Sequence, residues 1–139
     1  MELQHLIAGL EKLDLDFEKG EPASKDDIAE TELRLGKSLP EQVRQFYSNY
    51  NGIKVDSPKF EILSLGRLHI DSGKIVFAIF DDTHRVAFKA NILNSAGQWD
   101  IINADNDFLV TLTMASFWTN KIFAWLRKER AVWDVETYS

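Results

Sequence analysis

The stretch SKDDIAETELRLGKSLPEQVRQFYSNYNG, residues 24–52, decides the first part of the fold. Ser24 and Asp27, three residues apart, have the pattern of a capping box, which predicts that a helix begins there. Gly36 can close that helix, because glycine takes the left-handed conformation without steric cost. Pro40 suits the first turn of a second helix, where its missing amide is not needed. The stretch therefore predicts two helices joined by a short loop.

The second helix has a single apolar face, formed by residues at positions i, i+3, i+4 and i+7. These residues are Val43, Phe46, Tyr47 and Tyr50. Asn51 and Gly52 should end the helix, since both tolerate positive φ. On the N-terminal side, Leu3 to Leu10 predicts a short amphipathic helix, and we expect the charged stretch from Asp14 to Pro22 to be a loop.

After Pro58 the pattern changes to short apolar runs separated by polar turns, which is typical of an antiparallel sheet. The predicted strands cover residues 60–65, 67–70, 74–80, 85–89, 98–102 and 108–113. A final helix is predicted over residues 116–130, with a buried stripe of Trp118, Ile122, Trp125 and Leu126. Residues 1–139 should thus form a single α+β domain. We expect N-terminal helices, a central antiparallel or mixed sheet, and a long C-terminal helix packed on it.

The net charge of −6 lies entirely in the N-terminal quarter of the chain. Residues 1–35 contain ten acids and four bases, whereas acids and bases balance in the remainder. An acidic surface repels nucleic acid and anionic lipid and speeds encounter with a basic partner. We therefore expect no nucleic-acid or membrane partner. The alternative interpretation is a solvated helical face that keeps the protein soluble.

Several kinds of chemistry are excluded or unsupported by the residues. The chain contains no cysteine, which excludes disulfides, thiolate metal sites and cysteine nucleophiles. The N-terminus does not resemble a signal peptide, and the longest apolar run, residues 75–80, is too short to span a bilayer. We expect a cytoplasmic protein.

Two segments contain residues that can ligate a metal: His69 with Asp71, and the turn from Asp81 to His84. A catalytic zinc needs three protein ligands, and neither segment supplies them. No nucleophile elbow or phosphate-binding glycine loop occurs. We therefore predict no catalytic residue, no metal site and no cofactor.

Seven residues of the opening stretch and its continuation resemble the signature of the SUKH superfamily, the Smi/Knr-like group. They are Leu35, Gly36, Leu39, Pro40, Phe46, Asn51 and Gly52. The likeness extends over residues 24–126, because 75–78 is similar to the family's central strand and Phe117 and Leu126 are similar to its C-terminal helix. Two features depart from the pattern: the turn at 82–84 lacks the usual glycine, and the first helix has no match.

The resemblance implies a protein-binding module and not an enzyme. The family contains bacterial immunity proteins, which bind and neutralise a secreted toxin, and fungal cell-wall regulators. An immunity protein is the leading hypothesis, an intracellular regulatory adaptor the alternative, and a small hydrolase the second alternative. Nuclease toxins need basic surfaces to hold phosphates, so an acidic patch would complement them. The hypothesis places these residues on the partner-binding face: Asp14, Asp16, Glu18, Glu21, Asp26, Asp27, Glu30 and, as an aromatic anchor, Trp133.

Overall fold

The computed structural model describes residues 5–127 of the 139-residue chain. Its N-terminal part contains three helices and one short strand. These are α1 (Leu6–Lys12), β1 (Phe17–Lys19), α2 (Lys25–Leu35) and α3 (Glu41–Asn49). The two helices predicted from the opening stretch are confirmed.

The ends of α2 follow from the residues that stand there. The Ser24 hydroxyl accepts a hydrogen bond from the Asp27 amide at 3.0 Å, and the Asp27 carboxylate accepts one from the Ser24 amide at 3.0 Å. The predicted capping box is therefore present. Gly36 ends the helix in the left-handed conformation, with φ of 69°. Pro40 lies just before α3, one position earlier than predicted.

Eight strands in the described part of the chain form one sheet, and every neighbouring pair is antiparallel. The strands after α3 are β2 (Ile53–Asp56), β3 (Lys59–Ile62), β4 (His69–Asp71), β5 (Lys74–Phe80), β6 (His84–Lys89), β7 (Asp100–Asn103) and β8 (Leu109–Thr111). Their order is β1-β2-β3-β5-β6-β7-β8, and β4 pairs with β5 on the side that β3 occupies. The prediction of an antiparallel sheet is confirmed.

The two faces of the sheet have different environments. The inner face carries Phe60 and Phe80, whose rings lie 5.4 Å apart and contact aromatic residues of the C-terminal helix. The outer face carries a row of directly opposed residues across five strands. That row consists of Glu18, Lys54, Glu61, Ile79 and Arg85. The core therefore lies between the sheet and the helices.

Two strands lie where the sequence pattern predicts none. The segment 14–22, predicted to be a loop, contains β1, and β2 precedes the first predicted strand. β1 has three residues, two of them charged, so it lacks an apolar run; its strand geometry comes from pairing Phe17 with Val55 and Lys19 with Ile53. Pairing with a neighbour, and not local pattern, creates this strand.

The C-terminal helix is short, so the prediction of a long helix over 116–130 is wrong. The helix, α4, runs through Met114–Ser116, a π-helical segment Phe117–Ile122, and Phe123–Leu126, 13 residues in all. The helix ends at Leu126, because Arg127 already departs from helical geometry, with φ of −84° and ψ of 7°. Trp118, Ile122 and Phe123 are buried, whereas Trp125 and Leu126 are half-buried.

No helix in the part of the chain that the structure describes is both long enough and apolar enough to cross a bilayer.

Candidate interaction surface

All seven acids of the hypothesised binding face are exposed to solvent, and they lie on β1 and on the segments before and after it. We call this set the acidic edge: Asp14, Asp16, Glu18, Glu21, Asp26, Asp27 and Glu30. β1 is the last described strand on its side of the sheet, so Glu18 lies at one margin of the sheet.

The acidic edge is a strip and not a single cluster. At one end, the Asp16 carbonyl accepts a hydrogen bond from the Asp56 amide at 3.4 Å; at the other, the Gly20 amide donates to the Gly52 carbonyl at 2.9 Å. Four residues of extended chain separate these contacts, which corresponds to roughly 14 Å. Asp14 and Asp16 therefore lie near one end of β1, and Glu21 lies beyond the other.

Backbone contacts fix where the chain passes from β1 to α2. The Glu21 carbonyl accepts from the Asn51 amide at 3.0 Å, and the Ala23 amide donates to the Tyr47 carbonyl at 2.9 Å. Asp26, Asp27 and Glu30 follow on the first turns of α2. Carboxylates there are favoured by the positive end of the helix dipole. Of the three, Asp27 also has a structural role as part of the capping box.

The carboxylates of the acidic edge are not held in ion pairs in the described part of the chain, although Lys54 lies opposite Glu18. None of its seven carboxylates forms an ion pair within residues 5–127, where the ion pairs join residues between 59 and 107. Arg34, the base at the end of α2, donates to the Leu68 and Leu65 carbonyls at 2.9 and 2.7 Å. Lys19 lies over the ring of Tyr50, 6.0 Å from its centroid. The edge therefore keeps its negative field.

Three further acids extend the acidic edge, and the sequence analysis missed them. They are Asp56, at the end of β2, and Asp81 and Asp82, which follow β5. The Asp56 amide donates to the Asp16 carbonyl, and Asp56 lies opposite Lys59 in the sheet. The Asp81 amide donates to the Lys59 carbonyl at 2.8 Å, so all three acids lie at the same end of the sheet as Asp16. Residues 36–139 have a net charge of zero, so the charge distribution along the sequence does not point to these three acids. A signal did exist for two of them, since Asp81 and Asp82 follow the apolar run 75–80.

Lys59 is the base among these acids, and it is already engaged. Its ammonium forms an ion pair with Asp82 at 2.8 Å. The hydrogen bond with Asp82 is the main reason that the pKa of Lys59 is raised above its ordinary value. The end of the sheet therefore remains acidic overall.

The two segments with metal-ligating residues are occupied by other interactions. Asp71 pairs with Arg85 at 2.6 Å, and this hydrogen bond lowers the pKa of Asp71. Asp81 and Asp82 both have positive φ, as a tight hairpin turn requires. Within residues 5–127, no group of three or more His, Cys, Asp or Glu side chains is arranged to hold a metal ion.

The residues of the family signature shape the backbone and fill the core. Leu35, Leu39 and Phe46 are buried. Gly52 has φ of 98°, and a Cβ atom added there would lie 3.0 Å from both the Ile62 carbonyl oxygen and the Ser64 amide nitrogen. The Asn51 side chain accepts a hydrogen bond from the Leu65 amide at 2.8 Å. Trp133, hypothesised as an interface anchor, lies outside the described residues.

The chain matches the model of a known protein family. No curated protein matches the chain. The model of the SMI1/KNR4 family (SUKH-1) matches residues 22–132, which is far more than half of the chain. The match begins at the acidic edge, with Pro22, and includes the helical pair, the sheet from β2 to β8 and α4. On this evidence, the chain belongs to the SMI1/KNR4 family (SUKH-1).

Proposed function

We propose that this protein is an immunity protein, which binds a secreted toxin with a basic surface through the acidic edge and blocks it. Proteins of the SUKH family are generally non-catalytic immunity or regulatory proteins, and they typically bind protein partners. For this chain, we assign the binding surface to the acidic edge and expect a partner with a basic surface.

The observation that supports it is the unpaired negative charge of the acidic edge. Seven exposed carboxylates lie on β1, beside it and on the first turns of α2, without an ion pair in the described part of the chain. Like charges held close together repel, so such a surface is retained at a cost in folding stability. A partner of opposite charge removes that repulsion and associates faster, by a factor of about 10 to 1,000.

A nuclease toxin is the partner class that suits this surface best. A nuclease holds phosphates with lysine and arginine, so carboxylates in a strip can occupy the same groups. The protein would act in the cytoplasm, where it would protect the cell that makes the toxin.

The test is capture of the partner by the tagged full-length protein from its own organism's lysate and secreted fraction, at low and high salt. We expect one basic polypeptide that is released by salt, because screening weakens exposed charge pairs. Two charge-reversal variants then locate the surface. The first is Asp16→Lys, just before β1, with Glu18→Lys on β1, and the second is Asp26→Lys with Glu30→Lys on α2. Asp27 is left intact because it caps α2.

The matched control is Glu11→Lys with Glu41→Lys, which changes the net charge equally at two exposed helical positions outside the acidic edge. We expect each edge variant to slow association with the captured polypeptide about tenfold and to flatten its salt dependence, while the control stays close to the wild type. Equal effects of all three variants would contradict the proposed surface. Capture of a partner indifferent to salt would instead favour a regulatory adaptor.

A further inference from the structure

A cavity of about 390 Å³ lies on the outer face of the sheet, at the side away from the acidic edge. Its lining includes Lys74, Lys89, Asp100, Ile102, Asp107 and Leu109. β1 and β8 are separated by six strand spacings, or roughly 29 Å. This cavity is therefore distinct from the surface proposed above.

The loop between β7 and β8 is fastened across the outer face of the sheet. Lys74 donates to the Ala104 carbonyl at 2.9 Å and pairs with Asp107, while Arg85 pairs with Asp105 at 2.7 Å. These bonds reach from β5 and β6 to the chain that follows β7. The wall of the cavity is thus held in place before any ligand arrives, which lowers the entropic cost of binding.

Exposed apolar side chains occur on the two segments that contribute Asn91 and Leu109 to the lining of this cavity. Four large hydrophobic residues with 44–67% of their surface exposed come from the β6–β7 connection and from β8 and its end: Ile92, Leu93, Leu109 and Leu112. The Asn94 side-chain amide donates to the Leu112 carbonyl at 2.8 Å, which ties the two segments together. Clustered exposed apolar side chains are typical of a protein-binding surface.

Lys89 supplies a cation that forms no ion pair in the described part of the chain, although Asp100 and Asp107 also line the cavity. It lies opposite Asp100 in the register of β6 and β7, yet it forms no ion pair within residues 5–127. The Asp100 carboxylate instead accepts a hydrogen bond from the Asn94 amide at 2.9 Å. Lys74 and Arg85, the other bases nearby, are both paired. An acidic group in the cavity would therefore meet Lys89.

The backbone of β8 determines the shape of the partner. β8 is the last strand of the sheet on this side, and no described strand pairs with its other edge. An extended peptide can add to such an edge through main-chain hydrogen bonds, while its alternate side chains enter neighbouring pockets. We call the surface formed by Lys89, Ile92, Leu93, Leu109 and Leu112 the apolar edge.

We propose that the apolar edge binds an extended segment of a protein partner, with apolar residues against the exposed leucines and an acidic side chain in the cavity next to Lys89. The exposed apolar side chains suit apolar residues, the Lys89 ammonium suits a carboxylate, and the edge of β8, which no described strand pairs with, suits extended chain. This surface would work independently of the acidic edge.

The test is selection from a phage-displayed library of random dodecapeptides on the immobilised full-length protein. The wild type should enrich peptides with an acidic residue flanked by apolar residues. A synthetic copy of the most enriched peptide, measured by fluorescence anisotropy, should bind Lys89→Glu about tenfold more weakly, since attraction becomes repulsion. A copy with lysine in place of the acid should bind Lys89→Glu better than the wild type.

Two further variants make the result specific. Ile92→Asp, in an exposed loop, should weaken both peptides, and Asp26→Lys with Glu30→Lys should leave them unaffected; Lys89→Gln serves if Lys89→Glu proves unstable. The proposal is overturned if no peptide family is enriched, if the enriched peptides ignore the charge at position 89, or if they lose affinity only in the α2 variant. Sedimentation that shows a dimer abolished by Leu112→Asp would assign the edge to a second copy and overturn it as well.

Discussion

Replacing Gly20 by alanine should detach β1 and with it the centre of the acidic edge. A Cβ atom at position 20 would lie 2.2 Å from the Asn51 carbonyl oxygen and 2.7 Å from its carbon. Backbone atoms need about 1 Å more than this. Neither chain can yield freely, because the Gly20 amide donates to the Gly52 carbonyl and the Asn51 amide to the Glu21 carbonyl, at 2.9 and 3.0 Å.

The cost of the substitution is limited by the free energy with which β1 is bound to the sheet. Releasing β1 breaks its ladder with β2, which has three residue pairs, and exposes the half-buried Phe17. At about 1 kcal/mol for each net hydrogen bond and a similar amount for the side chain, the ceiling is about 2–4 kcal/mol. A larger clash would not cost more, because detachment of β1 from the sheet relieves the clash and costs no more than this limit.

Urea denaturation followed by tryptophan fluorescence measures the loss, and hydrogen exchange with mass spectrometry locates it. The peptide that contains β1 should lose protection in Gly20→Ala, while β5 and β6 keep theirs. The matched control is Gly66→Ala, since an added Cβ at Gly66 meets nothing within 4 Å. If Gly20→Ala is as stable as Gly66→Ala and equally protected, the close approach of the two chains is wrong.

Three other substitutions test the packing and the charges. Ser24→Ala should lower the free energy of unfolding by about 1 kcal/mol, because α2 loses its cap, whereas Ser24→Gly should lower it by only about 0.3 kcal/mol. Urea denaturation measures both values, and equal midpoints for the two variants, at equal slopes, would contradict this expectation. The buried Tyr47 hydroxyl donates to the Leu63 carbonyl at 2.7 Å, and Tyr47→Phe removes this hydrogen bond. The free energy of unfolding should therefore fall by about 1–3 kcal/mol. Burial also raises the pKa of Tyr47 above its ordinary value of 10.0. The wild type should therefore lose stability as the pH rises above this value, because Tyr47 ionises in the unfolded chain, and Tyr47→Phe should lose less. Parallel curves of stability against pH for the two proteins would refute this. Asp71→Asn should flatten the acid side of the stability profile, because the hydrogen bond from Arg85 lowers the pKa of Asp71. The stabilisation by ionised Asp71 is present above the ordinary pKa of 3.8 and disappears as the pH falls through the lower pKa of the folded state. The free energy of unfolding, measured from about pH 2 to about pH 5, checks this expectation.

The elements that the sequence predicts well are those with local signals. The capping box at Ser24 and the glycine at position 36 each act on neighbouring residues, so the bounds of α2 were predictable. The β5–β6 hairpin was also predictable, because its two apolar runs flank a short polar turn. Local signals of this kind act before any tertiary contact forms.

The elements that the sequence did not predict depend on distant partners. β1 is a strand only because β2 pairs with it, and α4 contains a π-helical segment that the apolar pattern does not mark. The uneven charge of the chain indicates the acids from 14 to 30 but not Asp56, Asp81 and Asp82, which reach the same end of the sheet through its register. The sequence pattern also does not indicate the apolar edge, since Lys89 and Leu109 are twenty residues apart and meet only across the cavity.

The order in which the strands are made has a consequence for when the protein can bind. From β2 to β8, nearly every strand pairs with the one before it in the chain, so these strands can pair during synthesis as each one emerges. β1 is made first, but its only described partner, β2, begins at Ile53, after both α2 and α3. Its pairing closes a loop of more than thirty residues, an entropic cost that the adjacent hairpins avoid. A newly made chain should therefore complete the acidic edge late, after the meander that supports it has formed.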